Sequence, residues 1–149
     1  AENRALYVSQ KIGITHAQIY ASPVYLDIYG IPKQLSELSH HNCLLIENTH
    51  GKPFNEWLAV KDGKSESVVV KGNFSSNSVT AIREAAVRGL GVIVLTSLAV
   101  EQEVKAGSLV PILEDYNPMQ IPIYAVYSQR LQLPPKAKVF LHRVKSFLA

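Results

Sequence analysis

A single cysteine, Cys43, stands in the 149 residues, so no disulfide can form within the chain. Apolar runs are short, the longest being the block around Val92 to Leu95, whereas a membrane-spanning helix needs about 18 to 20 such residues. These two absences lead us to expect a soluble chain. Basic residues exceed acidic ones only modestly, 15 Lys and Arg against 12 Asp and Glu. They are scattered, with no run of about five or six that would make a nucleic-acid arm. There is no Gly-x-Ser-x-Gly elbow, no Walker loop and no His-Glu-x-x-His helix. The opening AENRALYVSQ has neither an initiating Met nor the basic, apolar, small order of a secretion signal. We expect a segment of a longer protein working in a reducing cytoplasm.

What is present is first a concentration of reactive side chains in SHHNCLLIENTHGKPF, residues 39 to 54. A cysteine nucleophile needs a base within reach and surroundings that lower its thiol pKa. His41 lies two residues before Cys43, on the same face of an extended strand. Cys43 also opens the apolar run Leu44-Leu45-Ile46, where a cysteine acts as a small hydrophobe. Zinc fares no better, because one Cys with His40, His41 and His50 lacks the paired short spacings of structural sites. His16 and His142 lie far off in sequence and read as surface residues. No metal or other cofactor is expected, and a Cys/His enzyme is kept only as a minor alternative.

The order of elements reads as α/β. Ile14 to Tyr20 is a strand ending at Ser22-Pro23, followed by a helical turn, PVYLDIYG, stopped at Gly30. Gln34 to Leu38 gives another helical turn before the strand Cys43 to Ile46. Trp57 to Val60 and Ser67 to Val70 flank the turn Lys61-Asp62-Gly63-Lys64. In GNFSSNSVTAIREAAVRGLGVIVLT, residues 72 to 96, the spacing of Val79, Ile82, Ala86 and Leu90 predicts an amphipathic helix, stopped by Gly89 and Gly91. A buried strand, Val92 to Leu95, follows. Thr96 and Ser97 can cap a helix over LAVEQEVKAG, after which come strands at Leu109 to Leu113 and Ile121 to Tyr127. Val139, Leu141, Val144, Phe147 and Leu148 give a last amphipathic helix. Helices alternating with apolar strands imply a mostly parallel sheet.

In such a sheet the ligand crevice lies outside the carboxyl ends of the strands. Three places qualify: the loop from Glu47 to Phe54, the residues Ser76, Asn77 and Ser78 before the central helix, and Thr96 with Ser97. The candidate binding residues are Ser22, Asn48, Thr49, His50, Phe54, Ser76, Asn77 and Thr96. Two helix N-termini, each contributing about 0.3 to 1 kcal/mol, would suit a polar or anionic small molecule. Each residue also has a plainer role: Asn77 and Thr96 as N-caps, Phe54 as a core plug rather than a lid, Ser22 as a hinge residue.

Three stretches resemble the effector-binding domain of LysR-type transcriptional regulators: ASPVYLDIYGIPKQLSELSHHNCL, then GNFSSNSVTAIREAAVRGLGVIVLT, then GSLVPIL with IPIYAVY and Leu133-Pro134-Pro135 before the last helix. The resemblance covers nearly the whole chain, and Thr96 departs from it where the family usually has proline. It implies a two-lobed fold like that of type II periplasmic binding proteins, with Rossmann-like lobes and the first lobe incomplete in this chain. Residues 1–21 would be the remnant of the first lobe and the crossover strand, 22–124 the second lobe, and 125–149 the return to the first lobe with its C-terminal helix. A small-molecule effector would bind in the inter-lobe cleft. The resemblance further implies a homodimer or homotetramer, DNA contact through an N-terminal winged helix-turn-helix absent from this chain, and RNA polymerase as a partner, with no membrane. A solute-binding protein of the same architecture is the alternative.

Overall fold

The computed structural model describes residues 7–117, 119–128 and 143. The elements in order are β1 (Tyr7–Ala21), α1 (Pro23–Tyr29), a 3-10 turn (Leu35–His40), β2 (Leu44–Ile46), β3 (Glu56–Lys61), β4 (Lys64–Val69), β5 (Phe74–Ser76), α2 (Val79–Val87), β6 (Ile93–Thr96), α3 (Glu101–Ala106), β7 (Val110–Ile112) and β8 (Met119–Ser128). The last amphipathic helix of the sequence reading lies outside the described residues. The chain divides into two compact units, residues 16–119 and residues 1–15 with 120–149. β8 pairs with β1.

In the larger unit, β2 runs parallel to β5, and Cys43 bridges in parallel to Val92 at the start of β6. β1 pairs with both β6 and β7, which places the strands in the order β5, β2, β6, β1, β7. The expectation of a mostly parallel sheet needs one correction: β1 runs antiparallel to both of its neighbours in this unit. The other four strands share a direction because helices and loops return the chain between them. β1 is threaded straight into the sheet and ends where those four begin.

Alternation along these strands divides the core. On one face Tyr20, Leu44, Ile93 and Leu95 pack with Ile82, Ala85 and Ala86 of α2. On the other, Ile19, Cys43, Leu45, Val92 and Ile112 pack with Trp57, Ala59 and Val68 of the β3–β4 hairpin and with Tyr25 and Leu38. The hairpin closes through Asp62 and Gly63, both at positive φ (52° and 75°), as a two-residue turn between right-twisted strands requires.

The helices depart from the spacing argument at their ends. Ile82 and Ala86 are buried as expected, but Val79 and Leu90 are 42% and 44% exposed, and Ala85 takes their place in the core. Val79 is the first helical residue and Leu90 follows the chain reversal at Gly89, so neither continues the helical stripe. α3 starts later than expected, at Glu101. Its N-cap is Val100, with no side-chain hydrogen bond, so neither Thr96 nor Ser97 caps it. β5 has no strand pattern of its own in the sequence and forms through its pairing with β2.

Candidate functional site

The carboxyl ends of β5, β2 and β6 come together at one edge of the sheet in the 16–119 unit. Ile46 pairs with Ser76, and the Glu47 N–H donates to the Ser76 carbonyl at 2.8 Å. Cys43 bridges in parallel to Val92, which sets β2 next to β6 with both strands running toward this edge. Thr96 pairs with Ala17, and the Ser97 N–H donates to the His16 carbonyl at 2.8 Å. Thr96 and Ala17 therefore stand side by side at the edge where β6 gives way to a turn.

The loop after β2 is held in shape by Asn48. Its Oδ1 accepts the N–H groups of His50 and Lys52, both at 2.9 Å, while the Asn48 N–H donates to the Lys52 carbonyl at 2.9 Å. Asn48 thus organises the loop, and Thr49 and His50 are presented outward, both exposed. The Phe54 N–H returns to the Ile46 carbonyl at 2.8 Å, which brings the ring back over the sheet. Phe54 is 54% exposed, so it is not a core plug. With Ala17, Ile19, Trp57, Val94, Ile112 and Tyr116 it lines a cavity of about 40 Å³ between the sheet and the hairpin.

On the opposite face of the same edge, Ser76 Oγ accepts the Ser78 N–H at 3.0 Å and Ser78 Oγ accepts the Ala81 N–H at 3.2 Å. Ser78 is the N-cap of α2; Asn77 is exposed and does not cap it. Thr96 Oγ1 accepts the Ala99 N–H at 3.3 Å, capping a turn instead of a helix. α3 has six residues, so among the described residues only α2 brings a substantial helix N-terminus to this edge.

Ser22 is the candidate that the structure sets apart. It is 1% exposed and its Oγ accepts the Tyr25 N–H at 3.1 Å as the N-cap of α1. Because β1 is antiparallel, its C-terminal end lies where β6 and β7 begin: Ala21 pairs with Val110 and Tyr20 with Ile93. Ser22 therefore sits at the amino edge of the sheet, away from Glu47, Ser76 and Thr96. Conversely, Glu47 was missed as an individual candidate. Ser75 Oγ donates to its Oε1 at 2.6 Å, on the sheet face that carries Phe54 and Thr96. The available signal was its position, the first polar residue after a buried apolar strand.

The Cys/His constellation separates into structural roles. Cys43 is fully buried, and burial pushes its thiol up to about 12, so the thiolate needed for attack does not form near neutrality. His41 Nδ1 lies 2.6 Å from the Tyr25 hydroxyl and is thereby engaged. Among the described residues no group of three or more His, Cys, Asp or Glu is placed to hold a metal ion.

Comparison with known proteins agrees with this architecture. Residues 2–149 match the family model for the LysR substrate binding domain. An uncharacterized HTH-type transcriptional regulator of Haemophilus influenzae is 33% identical over 129 residues, 87% of this chain and 44% of the relative. The HTH-type transcriptional regulator DmlR of Escherichia coli is 30% identical over 145 residues, 95% of this chain and 46% of the relative. The chain thus spans about half the length of the curated relatives it matches. Among solved structures, the regulatory domain of CrgA, a LysR-type regulator from Neisseria meningitidis, superposes with a TM-score of 0.80 at 24% identity, covering 100% of this chain and 72% of that one. The fold is the α/β fold of type II periplasmic-binding-protein-like domains.

Proposed function

Since this chain belongs to the LysR substrate-binding domain family, we propose that the carboxyl edge of its 16–119 unit is where a small polar effector is sensed. The observation that carries this reading is the meeting of three strand ends at one edge, with the Asn48 loop, the Ser78-capped start of α2 and the Thr96 turn gathered there. Thr49, His50, Asn77 and Phe54 supply the exposed surface, and Ser76 supports the cap. Ser22 is a helix cap in this reading and not a ligand contact.

Effector binding then acts by differential affinity: a ligand held more tightly in one arrangement of the protein shifts the population toward it. The whole regulator would be a homodimer or homotetramer that contacts DNA through a winged helix-turn-helix outside this chain, with RNA polymerase as a later partner in the cytoplasm. Catalytic turnover is no part of this reading, because Cys43 remains a neutral thiol.

A thermal-shift screen of polar metabolites on the intact protein tests the site. Thr96→Val and His50→Ala should reduce the rise in Tm given by a hit while leaving the Tm without ligand within about 2 °C. Unchanged ligand-induced shifts in both variants would place the effector elsewhere.

A further inference from the structure

At the amino edge of the sheet, β2 and β5 begin side by side, Leu44 paired with Phe74. The segments that lead into them are joined by the Cys43 N–H, which donates to the Lys71 carbonyl at 3.0 Å. A groove of about 530 Å³ opens there, with Ser39 to Asn42 on one bank and Lys71 to Asn73 on the other. Ligand pockets span about 300 to 1,000 Å³, so a small metabolite fits. Neither bank contributes a carboxylate. Glu37, which acts on His41, is outside the lining and accepts the Lys33 N–H at 2.9 Å.

The hydrogen bonds between the banks decide what the groove can hold. A backbone N–H can only donate, so the Asn42 atom that the Asn73 N–H meets at 3.0 Å is Oδ1. The other Asn42 amide atom is then Nδ2, and it donates to the Leu90 carbonyl at 2.8 Å and to Asn73 at 2.9 Å. Asn73 must receive that bond on Oδ1. Its own Nδ2 is left with two N–H donors and no acceptor among the described residues. Lys71, also exposed, has no ion pair among the described residues. His40 adds an exposed imidazole. His41 is a wall, its Nδ1 already engaged by the Tyr25 hydroxyl.

The groove thus gathers one ammonium, one oriented amide and one imidazole, with the Asn42 and Asn73 oxygens already used. A cation would find no counter-charge. A phosphate monoester carries a charge of about −1.5 to −2 at neutral pH and three acceptor oxygens, one for each donor group. Its bonds to the ammonium would be charge-assisted.

We propose that this groove is a second ligand site, which binds the phosphoryl group of a small phosphate monoester through Lys71, Asn73 and His40. It lies at the sheet edge opposite Thr96 and is independent of the carboxyl-edge reading. His41, Asn42 and Cys43 keep their structural roles, and Asn42 acts on the ligand only by orienting Asn73.

The test titrates ribose 5-phosphate and ribose into the intact protein at constant ionic strength and about pH 7.5, following the histidine C2 protons by NMR. Ribose 5-phosphate should saturate with a Kd of about 1 mM or below, shifting His40 and leaving His50 in place, whereas ribose should not bind up to about 50 mM. Lys71→Gln and Asn73→Asp should each weaken binding at least about tenfold. Both spare the backbone contacts, and the second keeps the oxygen that Asn42 binds. Lys52→Gln removes the same charge from the exposed loop after β2 and should leave the Kd unchanged. Absence of saturation, equal binding of ribose, or a Kd unmoved by Lys71→Gln and Asn73→Asp would each overturn the proposal. A loss in Lys52→Gln as large as in Lys71→Gln would overturn it too, since net charge alone would then attract the ligand.

Discussion

Asn42 and the two glycines beside it explain why the His-Asn-Cys segment looks chemical and acts structurally. Asn42 Nδ2 donates to the Leu90 carbonyl at 2.8 Å and to Asn73 Oδ1 at 2.9 Å, while its Oδ1 accepts the Asn73 N–H at 3.0 Å. One side chain thereby ties the start of β2 to the segments leading into β5 and β6. The backbones come so close that a Cβ on Gly72 would lie 1.7 Å from the Cys43 carbonyl oxygen, and one on Gly91 2.3 Å from that of Asn42. Both obstacles are backbone atoms at the entry to β2, so relief requires moving the sheet. Gly72→Ala should therefore destabilise by about 1 to 3 kcal/mol, or prevent folding, in urea unfolding. Cys43 follows from the same burial. With its pKa pushed up to about 12, it should resist a thiol reagent at pH 8 until the protein is unfolded, and then react at the rate of a free cysteine. Stoichiometric labelling of the native protein would contradict this.

Among the elements, α1 is joined to the entry of β2 by Tyr25 and His41. Burial raises the Tyr25 hydroxyl and keeps it protonated, and it shares a hydrogen bond with His41 Nδ1 at 2.6 Å. Burial also lowers His41, with Glu37 pulling it back up and His40 adding to the lowering. A histidine lowered in the folded state binds its proton better when unfolded. Its contribution is complete above the ordinary value of about 6.5 and is lost as pH falls through the lower folded value. Melting temperatures should therefore fall between about pH 7 and 5 more steeply in the native sequence than in His41→Gln. At the start of α2, Ser78→Ala should cost about 1 kcal/mol and Asn77→Ala almost nothing, since only Ser78 accepts an N–H of the first turn. Equal losses in urea titrations would return the cap to Asn77. The existence of α2 and the β3–β4 hairpin was legible because periodicity and the Asp-Gly turn are local signals. Which of three consecutive polar residues caps α2 was not legible, because that choice depends on where β5 ends, and β5 is defined only by its pairing with β2.

At the scale of the molecule, the family-type order of strands and helices was legible, whereas the direction of β1 was not, because direction is a property of pairing and leaves no mark on composition. That single fact decided most of the candidate site. It kept Thr96 and the loops after β2 and β5 at one edge and sent Ser22 to the other. The same sheet has a consequence for stability. Its two faces bury separate sets of side chains, Ile82 with Ile93 and Leu95 on one and Trp57 with Leu45 and Val92 on the other, yet both sets hang from the same strands. If the sheet is the cooperative unit, damage to one face must weaken protection on the other. Ile82→Ala removes a fully buried side chain from the α2 face, at a cost of about 2 to 5 kcal/mol. Hydrogen exchange should then accelerate by the same factor at β6 amides and at the β3 amides around Trp57, which Ile82 does not accompany in its core cluster. Acceleration confined to α2 and β6 would mean that the hairpin layer opens on its own, and that the cavity under Phe54 can widen without unfolding the sheet.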